Sequence, residues 1–188
     1  MLEAIATSFA VVALAEIGDK TMLLAIVLAA RFRKPVPIVG GILFATLANH
    51  AVASFAGAEA AAWFDGYWFR LAVALGFVAM GLWTLVPDKF EEEDKPQERF
   101  GPFLTTLIAF FLVEIGDKTQ VATIALGARY HDVLAVTTGT TLGMLAANVP
   151  AVFLGDRLVQ KISLKYIRMV AAALFVALGL WMLVTLHR

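Results

Sequence analysis

The sequence predicts an all-α polytopic membrane protein with six transmembrane helices arranged as two inverted three-helix repeats. Of its 188 residues, 61% are hydrophobic and only 16% are charged, whereas soluble domains are about 45–50% apolar and roughly 25% charged. Apolar runs of about 20 residues, the length that crosses a bilayer core, recur along the whole chain. A long internal repeat relates the two halves of the chain.

Each apolar run is predicted to be a helix, because backbone groups that face lipid must be hydrogen-bonded within their own segment. The six predicted spans are Ile5–Ala30, Val36–Phe55, Phe69–Pro87, Phe103–Ala128, Val133–Leu154 and Tyr166–Leu186. The third span is separated from the fourth by a short stretch of different character. The spans therefore divide into two groups of three.

The stretch between the third and fourth spans is Asp88–Gly101, with the sequence DKFEEEDKPQERFG. It is short, strongly charged and interrupted by a proline, which predicts a solvated linker. We therefore expect a first three-helix repeat over residues 1–87, a charged linker over residues 88–101 and a second repeat over residues 102–188.

The two halves repeat at a constant offset of 98 positions. The hexamer EIGDKT occurs at Glu16–Thr21 and again at Glu114–Thr119. Further along, FVAMGLWTLV at Phe77–Val86 aligns with FVALGLWMLV at Phe175–Val184, with eight of ten positions identical. Because each half has an odd number of spans, the second half enters the membrane from the opposite side. Inverted repeats of this kind are typical of transporters, whose substrate site lies near the bilayer midplane.

The basic residues indicate the orientation in the membrane. One predicted face carries Arg31, Arg33, Lys34, Lys89, Lys95, Arg99, Arg157, Lys161, Lys165 and Arg168, and the other carries only Arg70, Arg129 and Arg188. Loops rich in lysine and arginine stay on the cytoplasmic side. We therefore expect both termini outside and the charged linker in the cytoplasm.

The hexamers place acidic side chains inside apolar spans, where each charge costs on the order of 3 kcal/mol. Within a continuous helix, Glu and Asp three positions apart share one face, and the glycine between them allows the backbone to open. Such acids must face each other or water. The predicted divalent-cation site comprises Glu16, Asp19, Glu114, Asp117, Thr21, Thr119, Gln120, Asn49 and Asn148. These hard oxygen donors suit Mg²⁺, Ca²⁺ or Mn²⁺ rather than copper or zinc.

The two lysines of the hexamers are candidates for charge balance. Lys20 and Lys118 each follow the motif glutamate by four residues, a spacing that allows an ion pair on one helix face. Four acids against two lysines leave about two negative charges, which one divalent cation or two protons could balance. Exchange of metal for protons is the prediction. A structural ion-pair cluster, a passive channel and a non-transporting membrane scaffold are the alternatives.

Other classes of function lack a sequence signal. The net charge is zero, which gives no indication of nucleic-acid binding. The chain contains no cysteine for thiolate metal sites or redox chemistry, and no nucleophile–base arrangement or phosphate-binding glycine loop predicts an enzyme. Met22 is interpreted as a packing residue rather than a soft ligand. The expected partners are a divalent ion, protons and the bilayer, with no tightly bound cofactor and with the oligomeric state left open.

The paired motifs have the form E-x-G-D-(K/R)-(T/S), one in the first and one in the fourth of six spans, around a charged central loop. In this pattern the whole chain resembles the family of bacterial manganese exporters (MneA-type) and eukaryotic Golgi cation–proton exchangers. The resemblance implies export of Mn²⁺ or Ca²⁺ from the cytoplasm in exchange for protons. The motif residues carried over are Glu16, Asp19, Lys20, Thr21, Glu114, Asp117, Lys118 and Thr119.

The short loops resemble those of a bacterial member, which implies an inner-membrane protein and favours manganese. A Ca²⁺/H⁺ antiporter of broad divalent selectivity is the alternative within the same family.

Overall fold

A computed structural model describes residues 1–64, 66–87, 100–155 and 164–186, and these residues form α-helices and no strand. The helices are α1 (Leu2–Glu16), α2 (Lys20–Phe32), α3 (Pro35–Trp63), α4 (Tyr67–Thr84), α5 (Pro102–Glu114), α6 (Lys118–Tyr130), α7 (Val133–Leu154) and α8 (Leu164–Thr185). The all-α prediction is confirmed. Apart from its last two residues, the predicted linker lies outside the described residues, as do the basic residues Arg157, Lys161 and Arg188.

Four of the described helices, α3, α4, α7 and α8, are long and apolar enough to cross a membrane. They correspond to the second, third, fifth and sixth predicted spans. Helix α7 has the predicted bounds, whereas α3 continues eight residues beyond the predicted end, to Trp63. The first and fourth predicted spans differ, because each is divided into two shorter helices. A single helix over each of these two predicted spans is wrong, but the expectation that the backbone opens at the motif glycine is confirmed, because the breaks lie at Gly18 and Gly116.

A tight turn in each EIGDKT hexamer causes the interruption. In the first copy, Ile17 has φ −66° and ψ 112°, Gly18 has φ +86°, and the Asp19 N–H donates to the Glu16 carbonyl at 3.1 Å. The second copy repeats the turn. Ile115 has φ −65° and ψ 118°, Gly116 has φ +77°, and the Asp117 N–H donates to the Glu114 carbonyl at 3.1 Å. These are the dihedrals of a type II turn, whose third position favours glycine.

The turn separates the two acids of each motif. Glu16 is the last residue of α1, whereas Asp19 is the N-cap of α2 and its Oδ1 accepts a hydrogen bond from the Lys20 N–H at 2.9 Å. A carboxylate at this position is favoured by the unsatisfied N–H groups and the dipole of a helix N-terminus. The expectation that Glu and Asp share one face of a continuous helix is therefore wrong.

The helices of each half pack on a helix of the other half. Helices α1 and α2 pack on α7, α5 and α6 pack on α3, and α4 packs on α8. Small residues allow these close approaches: a Cβ at Gly41 would lie 2.7 Å from the Phe103 carbonyl oxygen, and one at Gly139 would lie 2.5 Å from that of Ile5. This crosswise packing brings α3 and α7 next to the two interrupted helices.

Candidate cation site

The acids of both motifs are buried. Glu16 and Glu114 are fully buried, Asp19 is 3% exposed and Asp117 is 4% exposed. Glu16 lies within electrostatic range of the other three carboxylates. The interrupted helices therefore bring the two hexamers, 98 positions apart in sequence, into one buried acidic cluster.

The lysines do not form the predicted pairs along a helix. Because a turn stands between Glu16 and Lys20, the spacing of four residues no longer places them on one helix face. Lys20 instead reaches across to the second motif, where its Nζ lies 3.8 Å from Asp117 Oδ1. Lys118 donates from Nζ to the Val86 carbonyl at 3.1 Å and lies 6.0 Å from the centre of the Trp83 ring.

The carboxylate of Glu114 is held by hydrogen bonds from α3. Thr46 Oγ1 donates to Glu114 Oε1 at 2.9 Å, and Asn49 Nδ2 donates to Oε2 at 3.3 Å. Asn49 Nδ2 also donates to the Phe111 carbonyl at 3.1 Å. Both oxygens of Glu114 thus have a donor, which offsets much of the cost of burying this carboxyl group.

Gln120 connects Asn49 to the second turn. Its Oε1 accepts from the Gly116 N–H at 2.7 Å, and its Nε2 donates to Asn49 Oδ1 at 2.9 Å. Thr119 Oγ1 lies 3.4 Å from Asp117 Oδ2, a long hydrogen bond. Three of the predicted site residues therefore orient the acids of the second motif, either directly (Asn49 and Thr119) or through Asn49 (Gln120).

Glu16 has a different environment, although its motif is identical. In the described part of the chain, neither of its carboxylate oxygens has a hydrogen-bond partner. The Asn148 amide lies beside it, yet Asn148 Nδ2 donates to the Met144 carbonyl at 3.1 Å, and its Oδ1 is also without a partner among the described residues. The hydroxyl of Thr21 is also buried and has no hydrogen-bond partner among the described residues. Unpaired buried oxygen atoms are costly, so the first half of the cluster carries a burial cost that hydrogen bonds offset in the second half.

The difference between the halves originates in the sequence around the motif. At the position equivalent to Gln120, the first half has Met22, which packs in the hydrophobic cluster of α2 with Leu24 and Leu28. Its interpretation as a packing residue is confirmed. No amide therefore links the first turn to Asn148 in the way that Gln120 links the second turn to Asn49.

Sequence reasoning missed two side chains of this cluster. Thr46 lies one helical turn before Asn49, and Met144 lies one turn before Asn148, so each shares a helix face with a predicted site residue. That spacing was the available signal. Within the described ranges, no group of three or more His, Asp or Glu side chains is arranged to hold a metal ion. The ligand role of the nine predicted residues stays a prediction.

A cavity of about 380 Å³ lies elsewhere, between the ends of α3, α4, α6 and α8. Basic side chains line part of it, including Arg70, Arg129 and His131, and none of the motif residues reaches it. The cavity therefore belongs to a different part of the molecule from the acidic cluster.

A protein-family model described as "Divalent cation/proton antiporter GDT1" matches residues 4–92 and 102–188. The chain belongs to the GDT1 family. The resemblance predicted from the two motifs is confirmed, and so is the expectation that the chain is not an enzyme. GDT1 proteins exchange divalent cations for protons, so the buried acidic cluster lies in a chain of the cation/proton antiporter class.

Curated GDT1 relatives match nearly the whole chain. A protein of Vibrio cholerae named "Putative manganese exporter" is 48% identical over 181 residues, which cover 96% of this chain and 90% of that protein. The GDT1-like protein 5 of Arabidopsis thaliana is 28% identical over 225 residues, which cover 98% of this chain and 97% of the plant protein. No solved structure matches the chain.

Proposed function

We propose that this GDT1 protein is a secondary active transporter of a bacterial inner membrane that exports Mn²⁺ from the cytoplasm in exchange for protons. The family supports cation/proton antiport, and the name of the Vibrio relative favours manganese as the cation. The observation that carries the proposal is the Glu16 carboxylate, which is fully buried and without a hydrogen-bond partner in the described residues, in range of three other acids.

The proposed site uses the two halves of the cluster differently. Glu16, Thr21 and Asn148 present oxygen atoms that are not engaged with other described groups, so a cation can bind them without first breaking protein hydrogen bonds. Glu114, by contrast, is held by hydrogen bonds from Thr46 and Asn49. The proposed ligands are Glu16, Asp19, Glu114 and Asp117 with the oxygens of Thr21 and Asn148, while Asn49, Thr119 and Gln120 join or orient them.

Exchange follows from the charge of the cluster. A divalent cation neutralises two carboxylates in a site with little water, and two protons can do the same once the cation has left. The cluster therefore binds either the divalent cation or the two protons, but not both at the same time. Release of Mn²⁺ to the outside is therefore coupled to protonation from the outside.

The proposed architecture is two inverted repeats, residues 1–87 and 102–188, joined by a cytoplasmic linker, with both termini outside. The crosswise packing supports it, because α1 and α2 contact α7 in the same way that their equivalents α5 and α6 contact α3. The predicted distribution of basic residues supports the orientation. The acidic cluster then lies where the repeats meet, the usual place for a transported substrate.

Transport by the purified protein in proteoliposomes tests the proposal. We expect uphill movement of Mn²⁺ that depends on an imposed proton gradient and is lost when the gradient is collapsed. Equal movement of Ca²⁺ would favour the Ca²⁺/H⁺ antiporter of broad selectivity. Movement only down the cation gradient would favour a passive channel, and no movement of Mn²⁺, Ca²⁺ or Mg²⁺ under any gradient would contradict a transporter of divalent cations.

A further inference from the structure

Three methionines in the described residues are nearly or fully buried, and one of them differs from the others in its surroundings. Met22 and Met80 each pack in a hydrophobic cluster. Met144 is fully buried but belongs to neither cluster. Its Sδ lies 3.0 Å from the side-chain nitrogen of Asn148. The sulfur of Met144 is therefore directed at a polar group.

The polar group that Met144 contacts belongs to the acidic cluster. Asn148 follows Met144 by one turn of α7 and lies beside the Glu16 carboxylate. The sulfur therefore contacts an amide that itself adjoins the carboxylate, on the half of the cluster that has unsatisfied oxygen atoms. On the other half, α3 presents the hydroxyl of Thr46 and the amide of Asn49 to Glu114. The half around Glu16 thus has a soft sulfur donor nearby. The half around Glu114 instead has nitrogen and oxygen groups, which are already hydrogen-bonded to the carboxylate.

A thioether distinguishes among divalent cations. Ca²⁺ and Mg²⁺ take oxygen ligands almost exclusively, and Mg²⁺ loses its water reluctantly. Methionine sulfur is polarizable and binds softer ions better. Mn²⁺ is a transition-metal ion that accepts oxygen ligands yet is softer than either alkaline-earth ion. One sulfur among several oxygens therefore penalises Ca²⁺ and Mg²⁺ more than Mn²⁺.

We propose that Met144 is a selectivity residue of the cation site, with its Sδ entering the ligand sphere beside Glu16 and Asn148 and disfavouring Ca²⁺ and Mg²⁺ relative to Mn²⁺. The inference rests on the proposed function, and it adds a residue that the two motifs do not contain. Rotation about the unbranched side chain lets the sulfur leave the Asn148 nitrogen and face the ion. The same movement frees Asn148 to turn its oxygen toward the ion.

The test compares Met144→Leu with Met22→Leu and Met80→Leu, since this exchange nearly conserves volume. Purified variants in proteoliposomes take up Mn²⁺ under a proton gradient while Ca²⁺ is added as a competitor. We expect the preference for Mn²⁺ over Ca²⁺ to fall by about tenfold in M144L, a usual size for losing a contact at a metal site. The two control variants keep the preference of the unmodified protein. An unchanged preference in M144L would overturn the role of the sulfur.

A second variant and a second ion keep the inference testable if M144L is poorly folded. Met144→Gln replaces the sulfur by an oxygen donor, and we expect it to bind Ca²⁺ better relative to Mn²⁺ than the unmodified protein does. Inhibition by Cd²⁺, a soft ion, should weaken in the same variant, and undiminished Cd²⁺ inhibition would contradict a sulfur contact. Failure of the unmodified protein to transport any divalent ion would instead contradict the proposed function, which is a different outcome from transport with unchanged selectivity.

Discussion

Lys20, in the first hexamer, reaches Asp117, in the second, with Nζ 3.8 Å from Oδ1. Asp117 is only 4% exposed and Lys20 is 29% exposed, so solvent screens this pair less than a pair on the surface. The contact links two segments that are almost a hundred positions apart. The charges of the two motifs therefore act as one cluster rather than as two local ion pairs.

Removal of the Lys20 charge tests this link. In Lys20→Ala, Asp117 and the neighbouring carboxylates lose a nearby cation, so the cluster carries one more negative charge for a proton to neutralise. We expect the acid side of the transport profile to move to higher pH, with little change in the order of preferred ions. The measurement is Mn²⁺ uptake by proteoliposomes over a series of pH values. Lys34→Ala, at an exposed position before α3, is the control, and an identical profile for both variants would exclude a role for Lys20 in charge balance.

We expect replacement by glutamine to change the stability of the protein differently at Glu16 and at Glu114. In Glu16→Gln, a neutral amide replaces a carboxylate without described partners and can donate to Asn148 Oδ1, so we expect the melting temperature to stay or rise. In Glu114→Gln, two donors lose a charged acceptor, and we expect a loss of about 1 kcal/mol. Both variants lose transport. Thermal unfolding in detergent without metal gives the comparison, and equal stability changes would contradict the difference between the halves.

Substitution of two threonines distinguishes a residue that hydrogen-bonds an acid of the cluster, Thr46, from a proposed metal ligand, Thr21. In Thr46→Val, Glu114 loses a donor at 2.9 Å, and we expect the variant to unfold more easily by about 1–3 kcal/mol. Thr21 has no described hydrogen-bond partner for its hydroxyl. Thr21→Val should therefore leave the metal-free stability unchanged and weaken Mn²⁺ binding, measured as the rise in melting temperature on addition of Mn²⁺. A normal rise in T21V would remove Thr21 from the proposed ligands.

The glycine of the second turn has a conformational role that one substitution isolates. A Cβ at Gly116 would contact nothing within 4 Å, but its φ of +77° is unfavourable for alanine. We expect Gly116→Ala to cost about 1–2 kcal/mol and to lower transport. Gly76→Ala, in the middle of α4 and equally uncrowded, should instead stabilise the helix by about 0.5–1 kcal/mol. Equal effects of the two variants would contradict the turn.

Much of this structure could be predicted from composition and repetition. The apolar runs predicted α3, α4, α7 and α8 because length and hydropathy suffice to identify a long membrane helix. The duplicated acids predicted that the two motifs meet. The motif glycines marked Gly18 and Gly116 as candidate break points, although the apolar residues on both sides favour a continuous helix. Only the order Glu-Ile-Gly-Asp, with glycine third, indicates the type II turn.

The different surroundings of Glu16 and Glu114 could not be predicted from the motif. Their neighbours come from α3 and α7, and the hydrogen bonds from Asn49 to Glu114 and from Gln120 to Asn49 join residues 65 and 71 positions apart. Such contacts depend on how the halves pack. Identical hexamers therefore acquire different chemistry from the residues that face them.

Simultaneous recording of Mn²⁺ and protons in the same vesicles tests the proposed exchange most directly. We expect Mn²⁺ entering proteoliposomes to drive protons out, so that a trapped dye reports a rise in internal pH, and we expect neither movement with Glu16→Gln. Entry of Mn²⁺ without any change in internal pH, or unaltered exchange by E16Q, would contradict a shared metal and proton site at Glu16.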